Sequence, residues 1–390
     1  MHRKSSVFME EKTGVETGGR SPSGRVPERR VFRVAFFSGG TGGHLTPALA
    51  VAEALRRVDP SSDPLFFTAG RKGERALSFP PGTRRWEWGL PAPRKAPVRF
   101  SFGLVRNVRL LKKELKRLHV RCCVGMGGYA SVPGVLAARA CGIPVVLLEQ
   151  NRIVGRANRL LAPLSSYLCT SYPDTTGLPV GRRAVWTGNP VRTAFLELRS
   201  SFTTRPVDGL KQVLVLGGSQ GAAVLDRVIT GALPKIARLR LPVRFVHAAG
   251  PRWEEVARAY KRWKIPAQVA PFFNDIASHL AGAAIAFARA GGCTVAELLV
   301  LGVPAVLVPY PAAADRHQHA NARYVEEHGA GLYCDQEHFT EAGVVETLCE
   351  LCRNPQRWEA RAERAWRLGV PEAAERVVKL LLELSRRGAS

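Results

Sequence analysis

One local pattern occurs twice in this chain: a short apolar run, a glycine-rich turn, and a stretch with helical periodicity. In the first copy the run VFRVAFFS, which begins at Val31, precedes GGTGGH and then LTPALAVAEAL, with Pro47 in the first helical turn. In the second copy, about 180 residues later, the predicted strand Gln212 to Leu216 precedes the turn Gly217 to Gly221 and another helical stretch. The repetition predicts two halves that are built alike.

The rest of each half alternates short apolar runs with helical stretches. The apolar runs include CCVGM, IPVVLLEQ, PVRFVHAAG, AAIAFARA and VPAVLVPY. This alternation is typical of parallel sheets covered by helices. We therefore predict an α/β fold with two Rossmann-like, doubly wound domains that face each other across a cleft, and ligands at the carboxyl ends of the strands.

The domain boundaries follow from the places where the apolar patterning lapses. Residues 1–30 are rich in Ser, Gly, Lys, Arg and Glu, which predicts a flexible basic tail. The join is predicted between GNPVR (Gly188 to Arg192) and the polar segment Ser200 to Gly209, with a first domain over residues 31–195 and a second domain over residues 205–370. Residues 371–390 are predicted to form a C-terminal helix that packs back on the first domain.

Length and composition exclude several classes of protein. A chain of 390 residues exceeds the usual size of one hydrophobic core, and 46% hydrophobic with 23% charged residues excludes collagen-like, coiled-coil and globally disordered chains. The longest apolar stretch, Glu297 to Tyr310, is broken by Gly302 and Pro304 and is shorter than the ~20 residues of a membrane-spanning helix. Eight cysteines without a disulfide pattern, and no signal-peptide core, predict a cytoplasmic protein with reduced thiols.

The formal net charge of +25 predicts an anionic partner, which could be nucleic acid, an acidic lipid surface or a phosphorylated substrate. The segment Arg71 to Arg121 holds 15 Lys or Arg residues and three acidic residues, with aromatic side chains between them. No nucleic-acid-binding signature accompanies this charge. Because aromatic rings beside cations are typical of an interfacial patch, we predict that the membrane is contacted by Phe79, Trp86, Trp88 and Phe100.

An apolar stripe with helical spacing follows this segment. It consists of Leu104, Val108, Leu111, Leu115 and Leu118, with cations between them. The stripe could pack on the sheet of the first domain, with the cations in solvent, or it could face the membrane. Its spacing leaves both possibilities open.

Four glycine-rich segments each follow a predicted strand and precede a predicted helix. They are Gly39 to His44, Gly125 to Ser131, Gly217 to Gly221 and Ala290 to Glu297. Such turns let backbone N–H groups at a helix N-terminus approach an anion, so phosphate is the expected ligand, although each turn alone could be purely structural. Four turns together predict a large polyanionic ligand set.

Two side chains in these segments are candidates for chemistry or recognition. His44 has an ordinary pKa of about 6.5, which suits a general base near neutrality; the alternative is a hydrogen-bonded cap or a phosphate donor. Glu297 falls in the first turn of a predicted helix, where it could accept hydrogen bonds from sugar hydroxyls or complement the helix dipole at the surface.

No metal and no cofactor are predicted. His317 and His319 diverge on a helix, and Cys349 and Cys352 lie in a helical pattern without a second cysteine pair. The chain also lacks a P-loop and a D-x-D motif. These absences argue against an NTPase and against a chelated metal-nucleotide.

Six segments together resemble a known family. The segments GGTGGHLTPALAVAEAL, GGYASVPGVLAARACGIPVVLLEQN, TGNPVR, LGGSQGA, AGGCTVAELLVLGVPAVLVPYP and DRHQHANA have the order and rough spacing seen in the MurG family of peptidoglycan N-acetylglucosaminyltransferases. The resemblance covers about Val31 to Val370. It implies the GT-B fold, with an acceptor-binding, membrane-associated first domain and a UDP-GlcNAc-binding second domain.

The resemblance also implies an activity and its partners. The family performs inverting, metal-independent transfer of N-acetylglucosamine from UDP-GlcNAc to the muramoyl 4-hydroxyl of lipid I, which forms lipid II in peptidoglycan biosynthesis. The implied partners are UDP-GlcNAc, lipid I and an anionic membrane surface, without nucleic acid. The implied location is peripheral, on the cytoplasmic face of the plasma (inner) membrane.

In the first domain the resemblance assigns roles to residues that match the family's motifs. Thr41, Gly42 and Gly43 would lie against the sugar and phosphates, and His44 becomes the candidate catalytic base. Asn151, in the segment Glu-Gln-Asn, would contact the GlcNAc group through its amide.

The other implied roles concern the donor. Arg192 and Ser219 match donor-nucleotide positions, Phe273 stands where main-chain groups read uracil, and Gln318 matches a GlcNAc contact. Within the donor loop, the threonine would bind phosphate and the glutamate would bind ribose. This loop comprises Gly292, Cys293, Thr294, Val295, Ala296 and Glu297.

The chain departs from the family at His317, where many members carry Gln, and in its N-terminal tail of about 30 residues. Two enzyme alternatives remain open: a GT-B glycosyltransferase with another lipid acceptor, such as diacylglycerol, and a UDP-GlcNAc epimerase of the same architecture. The contrasting alternative is a non-enzymatic basic module that binds membrane or nucleic acid and keeps a degenerate sugar-nucleotide site.

Overall fold

The structure is a computed structural model that describes residues 10–11, 31–39, 42–69, 79, 82–87, 97–181, 183–200, 209–218 and 221–387. In these ranges the chain forms two sheets, and each sheet has helices packed on both of its faces. The predicted α/β class with two doubly wound, Rossmann-like units is confirmed. Three predicted site residues lie outside the described ranges: Thr41, Trp88 and Ser219.

The first sheet is built from eight strands. They are β1 (Glu10–Glu11), β2 (Arg33–Phe37), β3 (Asp63–Thr68), β4 (Arg84–Glu87), β5 (Cys122–Gly125), β6 (Val145–Glu149), β7 (Tyr167–Thr170) and β8 (Ala184–Trp186). Their order is β1-β4-β3-β2-β5-β6-β7-β8, and all neighbours are parallel except β1 and β4. The helices of this half are α1 (Gly42–Val58), α2 (Pro97–Arg117), α3 (Gly128–Ala140) and α4 (Arg156–Leu161).

The second sheet has six strands, all parallel. They are β9 (Lys211–Leu216), β10 (Val243–Ala248), β11 (Ala267–Ala270), β12 (Ile285–Ala288), β13 (Ala305–Leu307) and β14 (Gly331–Tyr333). Their order is β11-β10-β9-β12-β13-β14. The remaining helices are α5 (Thr193–Ser200), α6 (Ala223–Arg238), α7 (Trp253–Arg262), α8 (Ile276–Ala281), α9 (Gly292–Val300), α10 (His317–Glu327), α11 (Glu341–Arg353), α12 (Pro355–Leu368) and α13 (Ala373–Arg387).

Strand β2 shows why the strands read as continuous apolar runs. Its side chains alternate between two cores, and those from Val34 to Phe37 are fully buried on both faces of the sheet. Val34 and Phe36 pack with α1, whereas Phe37 packs against α3 so closely that a Cβ on Gly134 would lie 2.1 Å from its ring. A polar residue on either face of this strand would therefore be buried.

The last helix returns to the first half of the molecule. Ala374, Val377, Val378 and Leu381 of α13 are buried in the core that α1 and β2 share. The chain reaches this position past Gly188, whose φ is +83° and where a Cβ would lie 2.6 Å from Val370 Cβ. The first core is thus completed by the C-terminal end of the chain.

Two boundary predictions differ from the structure. Val191 and Phe195, which we predicted to belong to the first domain, are buried in the core that contains α9, because α5 packs on the second sheet. The prediction that residues 1–30 contain no element is wrong for Glu10–Glu11, which pair with Arg85 and Trp86 at the edge strand β4. An edge strand such as β4 offers backbone N–H and C=O groups with which another segment of the chain can pair.

The apolar stripe of α2 packs on the first sheet. Leu111, Leu115 and Leu118 are buried in one core with Trp86, so the packing interpretation of the stripe is confirmed. Among the helices of the described ranges, none combines the length and the apolar character needed to cross a bilayer.

Candidate active site

Each sheet reverses its strand order at one point, between β2 and β5 in the first sheet and between β9 and β12 in the second. The helices that leave neighbouring strands there pass to opposite faces, which opens a crevice at the carboxyl ends. The helices α1, α3, α6 and α9 begin just after these four strands, and the four glycine-rich segments make the connections. Each crevice therefore has two helix N-termini, whose N–H groups favour anions.

The first crevice is closely packed around glycine. A Cβ on Gly39 would lie 2.5 Å from the Cβ of Ala130, so only glycine lets the turn approach α3. Gly128, at the start of α3, has φ of +69°, and a Cβ there would lie 3.7 Å from the imidazole of His44. The two turns thus bring the start of α3 next to His44.

His44 lies in the first turn of α1 and is half-buried. Burial, and to a smaller extent the nearby His317, lowers the pKa of His44 to about 4. The imidazole is therefore neutral at pH 7, which is the form that can accept a proton. Because His317 belongs to α10 of the second half, the two halves meet at this point.

The donor loop lies directly against the first half of the molecule. A Cβ on Gly292 would lie 2.2 Å from the main-chain oxygen of Gln150, so the contact requires glycine. The thiol of Cys293 donates to the main-chain oxygen of Gly43 at 2.8 Å, and the amide of Asn189 donates to its sulfur at 3.8 Å. Burial raises the pKa of Cys293 to about 12, so the thiol stays protonated and can donate.

Glu297 and Arg192 are brought together in the second crevice. Burial raises the pKa of Glu297 to about 7, and the positive charge of Arg192 opposes this shift. The guanidinium carbon of Arg192 lies 5.3 Å from the ring centre of Phe195, and its buried Nε has no hydrogen-bond partner within the described part of the chain. A buried donor without a partner beside a half-buried carboxyl suits the recognition of a polar ligand.

Asn151 is held by a buried carboxylate. Glu149 Oε1 accepts hydrogen bonds from the main-chain and side-chain N–H groups of Asn151, both at 3.0 Å. Glu149 Oε2 accepts from the main-chain N–H of Gly155 and from the amide of Asn158, both at 2.9 Å. These four donors satisfy the carboxylate and fix the loop that follows β6.

Asn321 of α10 bridges the two halves. Its Nδ2 donates to Asn151 Oδ1 and to the main-chain oxygen of Ala290, both at 3.0 Å, and its Oδ1 accepts from the main-chain N–H of Arg152 at 2.9 Å. Asn321 is fully buried. The predicted sugar contact Asn151 therefore lies at the junction of the two halves.

The remaining predicted donor residues lie around the second crevice. Gln318 is half-buried on the first turn of α10, and its side-chain oxygen accepts from the main-chain N–H of Tyr310 at 2.9 Å. Phe273 packs its ring edge-on against His279, with 4.9 Å between ring centres, so its side chain is engaged with the core. Thr294 and Ala296 are half-buried, whereas Val295 is buried.

Comparisons with known proteins identify the family. Two family models match: the glycosyltransferase family 28 N-terminal domain over residues 34–166 and the glycosyltransferase family 28 C-terminal domain over residues 212–377. A relative from Azotobacter vinelandii is 37% identical over 360 residues, which cover 90% of this chain and 99% of the relative. Its name is UDP-N-acetylglucosamine--N-acetylmuramyl-(pentapeptide) pyrophosphoryl-undecaprenol N-acetylglucosamine transferase. This chain belongs to the MurG family.

Further relatives and solved structures agree with this assignment. A transferase of the same name from Rhodospirillum centenum is 39% identical over 360 residues, which cover 90% of this chain and 93% of the relative. The crystal structure of Acinetobacter baumannii MurG matches with a TM-score of 0.70 at 29% identity, over 90% of this chain and 99% of that chain. A UDP-GlcNAc 2-epimerase from Neisseria meningitidis has a TM-score of 0.65 at 16% identity, over 90% and 100% of the two chains, which shows the shared fold alone.

The structure describes the side chains of two of the four residues that we predicted to contact the membrane, Phe79 and Trp86. The prediction is wrong for Trp86, which is 2% exposed because its ring stacks on Phe67, with 5.0 Å between ring centres, beneath α2. Phe79 is half-buried, with its ring edge-on to Phe66 at 5.4 Å. Phe100 lies in the first turns of α2. Two residues further on, Phe102 is 77% exposed.

Three residues that organise the site were not found by sequence reasoning. They are Glu149, Arg156 and Asn321. Each acts on a segment that is distant in the sequence or through backbone groups, so no local spacing reveals it. The family segments EQN and DRHQHANA contain Glu149 and Asn321, which is the only signal for these two, whereas Arg156 lies outside both segments. Across the described ranges, no group of three or more His, Cys, Asp or Glu side chains forms a candidate metal site.

Proposed function

We propose that this protein transfers N-acetylglucosamine from UDP-GlcNAc to the muramoyl 4-hydroxyl of lipid I and forms lipid II. The observation that carries the proposal is the match of nine-tenths of the chain to transferases named for this reaction, at 35% to 39% identity. The two matched family domains, residues 34–166 and 212–377, include the strand ends and helix N-termini of both crevices. The reaction in these names requires groups that bind a diphosphate and a group that accepts a proton. The site offers helix N-termini and a neutral imidazole.

The second crevice is proposed to hold the donor. The N-termini of α6 and α9 point toward the position where a diphosphate would lie, and their N–H groups can compensate its charge. Arg192 supplies a further donor, and Glu297 supplies an acceptor for a ribose hydroxyl. The donor sugar would then extend toward Asn151 and Gln318, at the junction of the two halves.

The first crevice is proposed to hold the acceptor hydroxyl next to His44. Its neutral imidazole takes the hydroxyl proton while the acceptor oxygen forms a bond to C1 of GlcNAc, and the bond from C1 to the UDP oxygen breaks. This direct displacement inverts the configuration at C1. The charge that develops on UDP is stabilised by the helix N-termini, which are preorganised because the glycine turns are tightly packed.

The acceptor is lipid-borne, so we propose that the first half binds the anionic cytoplasmic surface of the membrane peripherally. Helix α2 exposes Phe102 and Val105, which are 77% and 53% accessible, next to the exposed cations Arg106 and Arg109. Apolar side chains beside cations suit the interface of an anionic bilayer. Trp86 is excluded from this role by its burial, and Phe79 contributes part of its ring at most.

The deciding experiment is radiolabel transfer from UDP-GlcNAc with lipid I in the presence of EDTA. We expect a labelled disaccharide on the lipid, with UDP released in equal amount. Diacylglycerol serves as the alternative acceptor, and release of a free 2-epimer of the donor sugar would indicate an epimerase. If lipid I is not labelled and the protein binds DNA with an affinity that falls steeply with salt, the proposed activity is rejected in favour of a basic binding module.

A further inference from the structure

The segment before α10 has an unusual backbone. Asp315 and Arg316 are consecutive non-glycine residues with left-handed φ values of 50° and 53°. This left-handed region of φ is unfavourable for residues other than glycine, although aspartate tolerates it better than most. The two residues place the next ones, His317 and Gln318, at the edge of the cleft, so a restraint on this corner bears directly on the site.

The restraint comes from the opposite half of the molecule. Arg156, the first residue of α4, donates from Nε to both carboxylate oxygens of Asp315, at 3.1 and 3.2 Å, and from Nη2 to one of them at 2.7 Å. This forked geometry fixes the orientation of the carboxylate as well as its distance. The hydrogen bonds from Arg156 hold the pKa of Asp315 below its ordinary value, with smaller contributions from the charges of Arg159 and His317.

The two ends of the contact between α10 and the first half differ in burial. At one end Asn321 is fully buried, and the buried side chain of Tyr324 packs edge-on against Tyr172, with 4.7 Å between ring centres. At the corner, by contrast, the side chain of Arg156 is 65% exposed and that of Asp315 is 25% exposed. An exposed ion pair is weakened by solvent and salt, so it can break while the buried bridge persists.

We infer that Arg156 and Asp315 form an interdomain latch, which holds the corner of His317 and Gln318 over the cleft while the two halves are closed. The inference rests on the proposed function, since the corner is assigned to the donor sugar. Arg156 is a positioning residue: it acts through Asp315 and the backbone and does not touch the substrates. Its release would move the corner away and open the cleft at its rim.

The test is a charge swap in the full-length protein. The single variants Arg156→Asp and Asp315→Arg each leave like charges facing each other, and the double variant restores an opposite pair. We expect each single variant to lower kcat and raise KM for UDP-GlcNAc, each by about fivefold, whereas the double variant recovers to within about twofold of wild type. Inhibition by UDP alone should not change, because UDP carries no sugar to meet the corner.

A matched control uses an ion pair within one helix. Glu363 and Arg367 of α12 lie 2.5 Å apart and are 61% and 71% exposed, and swapping them should leave all kinetic values unchanged. Single variants without a kinetic effect would overturn the latch, and so would a double variant as impaired as the product of the two singles. The conservative Arg156→Lys variant keeps the positive charge, so its kcat and KM should lie between those of wild type and those of Arg156→Asp. Its midpoint of thermal unfolding shows whether the fold is intact.

A second measurement separates the latch from the proposed function. Amide hydrogen exchange of a peptide that covers residues 314–321 requires no catalysis. We expect faster exchange in Arg156→Asp, recovery in the double variant, and faster exchange of wild type as NaCl rises from about 0.05 M to about 0.5 M. Unchanged exchange in all variants would contradict the latch, whereas a failed transfer assay with this exchange pattern would contradict the transferase alone.

Discussion

The two crevices each contain a half-buried ionisable group, and burial shifts the pKa values of the two groups in opposite directions. In the first crevice it lowers the pKa of His44 to about 4, and in the second it raises the pKa of Glu297 to about 7. Both shifts favour the neutral form. The imidazole stays in the neutral form, which can accept a proton, whereas a carboxyl near its midpoint is suited to hydrogen bonding. Under the proposed function, this difference gives the chemistry to the first half and recognition of the donor to the second.

The largest effect is expected at His44. Replacing His44 with Ala should reduce kcat by about 10³-fold, because the acceptor hydroxyl loses its base, and KM for UDP-GlcNAc should change little. Steady-state rates with a soluble acceptor analogue measure both constants. A rate close to that of wild type would remove His44 as the base and end the proposed division between the crevices.

The next effect concerns the contact between the crevices. A Cβ at Gly292 would lie 2.2 Å from the oxygen of Gln150, so Gly292→Ala should push the donor loop away from the first half. We expect kcat to fall by about 10²-fold through misplacement of the donor relative to His44. Gly343→Ala is the control, since its Cβ would lie 3.4 Å from Thr340 Oγ1 and can be accommodated by a small shift. Similar losses in both variants would point to general damage.

The opposite pKa shifts predict opposite dependences of stability on pH. For Glu297 the folded-state pKa of about 7 exceeds the ordinary 4.5, so the folded state binds more protons between these values and loses stability as pH rises through 7. For His44 the folded-state pKa is lowered from 6.5, so stability is lost as pH falls from 6.5 toward 4.

The difference in unfolding free energy between Glu297→Gln and wild type should therefore increase in favour of the variant by about 2 kcal/mol from pH 5 to pH 8. Urea denaturation at these two pH values measures the difference. The gain should vanish at the lower pH, where the carboxyl of wild type is protonated. An equal difference at both pH values would show that the pKa of Glu297 is not raised.

Kinetics of Glu297 variants sharpen the assignment of recognition. Glu297→Ala should raise KM for UDP-GlcNAc about tenfold and leave kcat within a few-fold of wild type, because a ribose hydroxyl loses its acceptor in the ground state and the transition state alike. Binding of UDP by calorimetry should weaken by a similar factor. A fall in kcat with unchanged KM would move Glu297 into the chemistry and merge the two roles.

The smallest effect is expected at the membrane side of the first half. Phe102→Ser should weaken binding to anionic vesicles by a few-fold and leave activity on a soluble acceptor intact, because one exposed aromatic ring is lost. Trp86→Ser is the contrast: its buried ring supports the core, so it should lower the unfolding free energy by about 3 kcal/mol or more. Vesicle sedimentation and denaturation separate the two outcomes.

The sequence was sufficient to predict two parallel sheets and the alternation of strands and helices along the chain. Apolar runs such as CCVGM became strands because both faces of a parallel sheet are covered, and the glycine turns marked the points where the strand order reverses. The residues at these turns could be placed because they follow directly from strand ends. Local pattern and position in the fold coincide there.

The sequence was insufficient where position depends on distant partners. Trp86 lies between charged residues, which made it resemble an interfacial residue, but it stacks on Phe67 and is covered by α2. Likewise, Asn321 and Asn151 meet 170 positions apart, and neither has a local sign of the bridge. Contacts between elements of different halves are set by packing, which no window of sequence contains.

The return of α13 to the first half has a consequence for biosynthesis. Val377, Val378 and Leu381 complete a core whose other members, among them Phe36 and Leu45, leave the ribosome more than three hundred residues earlier. The nascent first half must therefore wait with an uncovered apolar groove until α13 has been translated. A premature stop shortly before α13 would leave both glycine crevices encoded, but one of them would stand on an unfinished support.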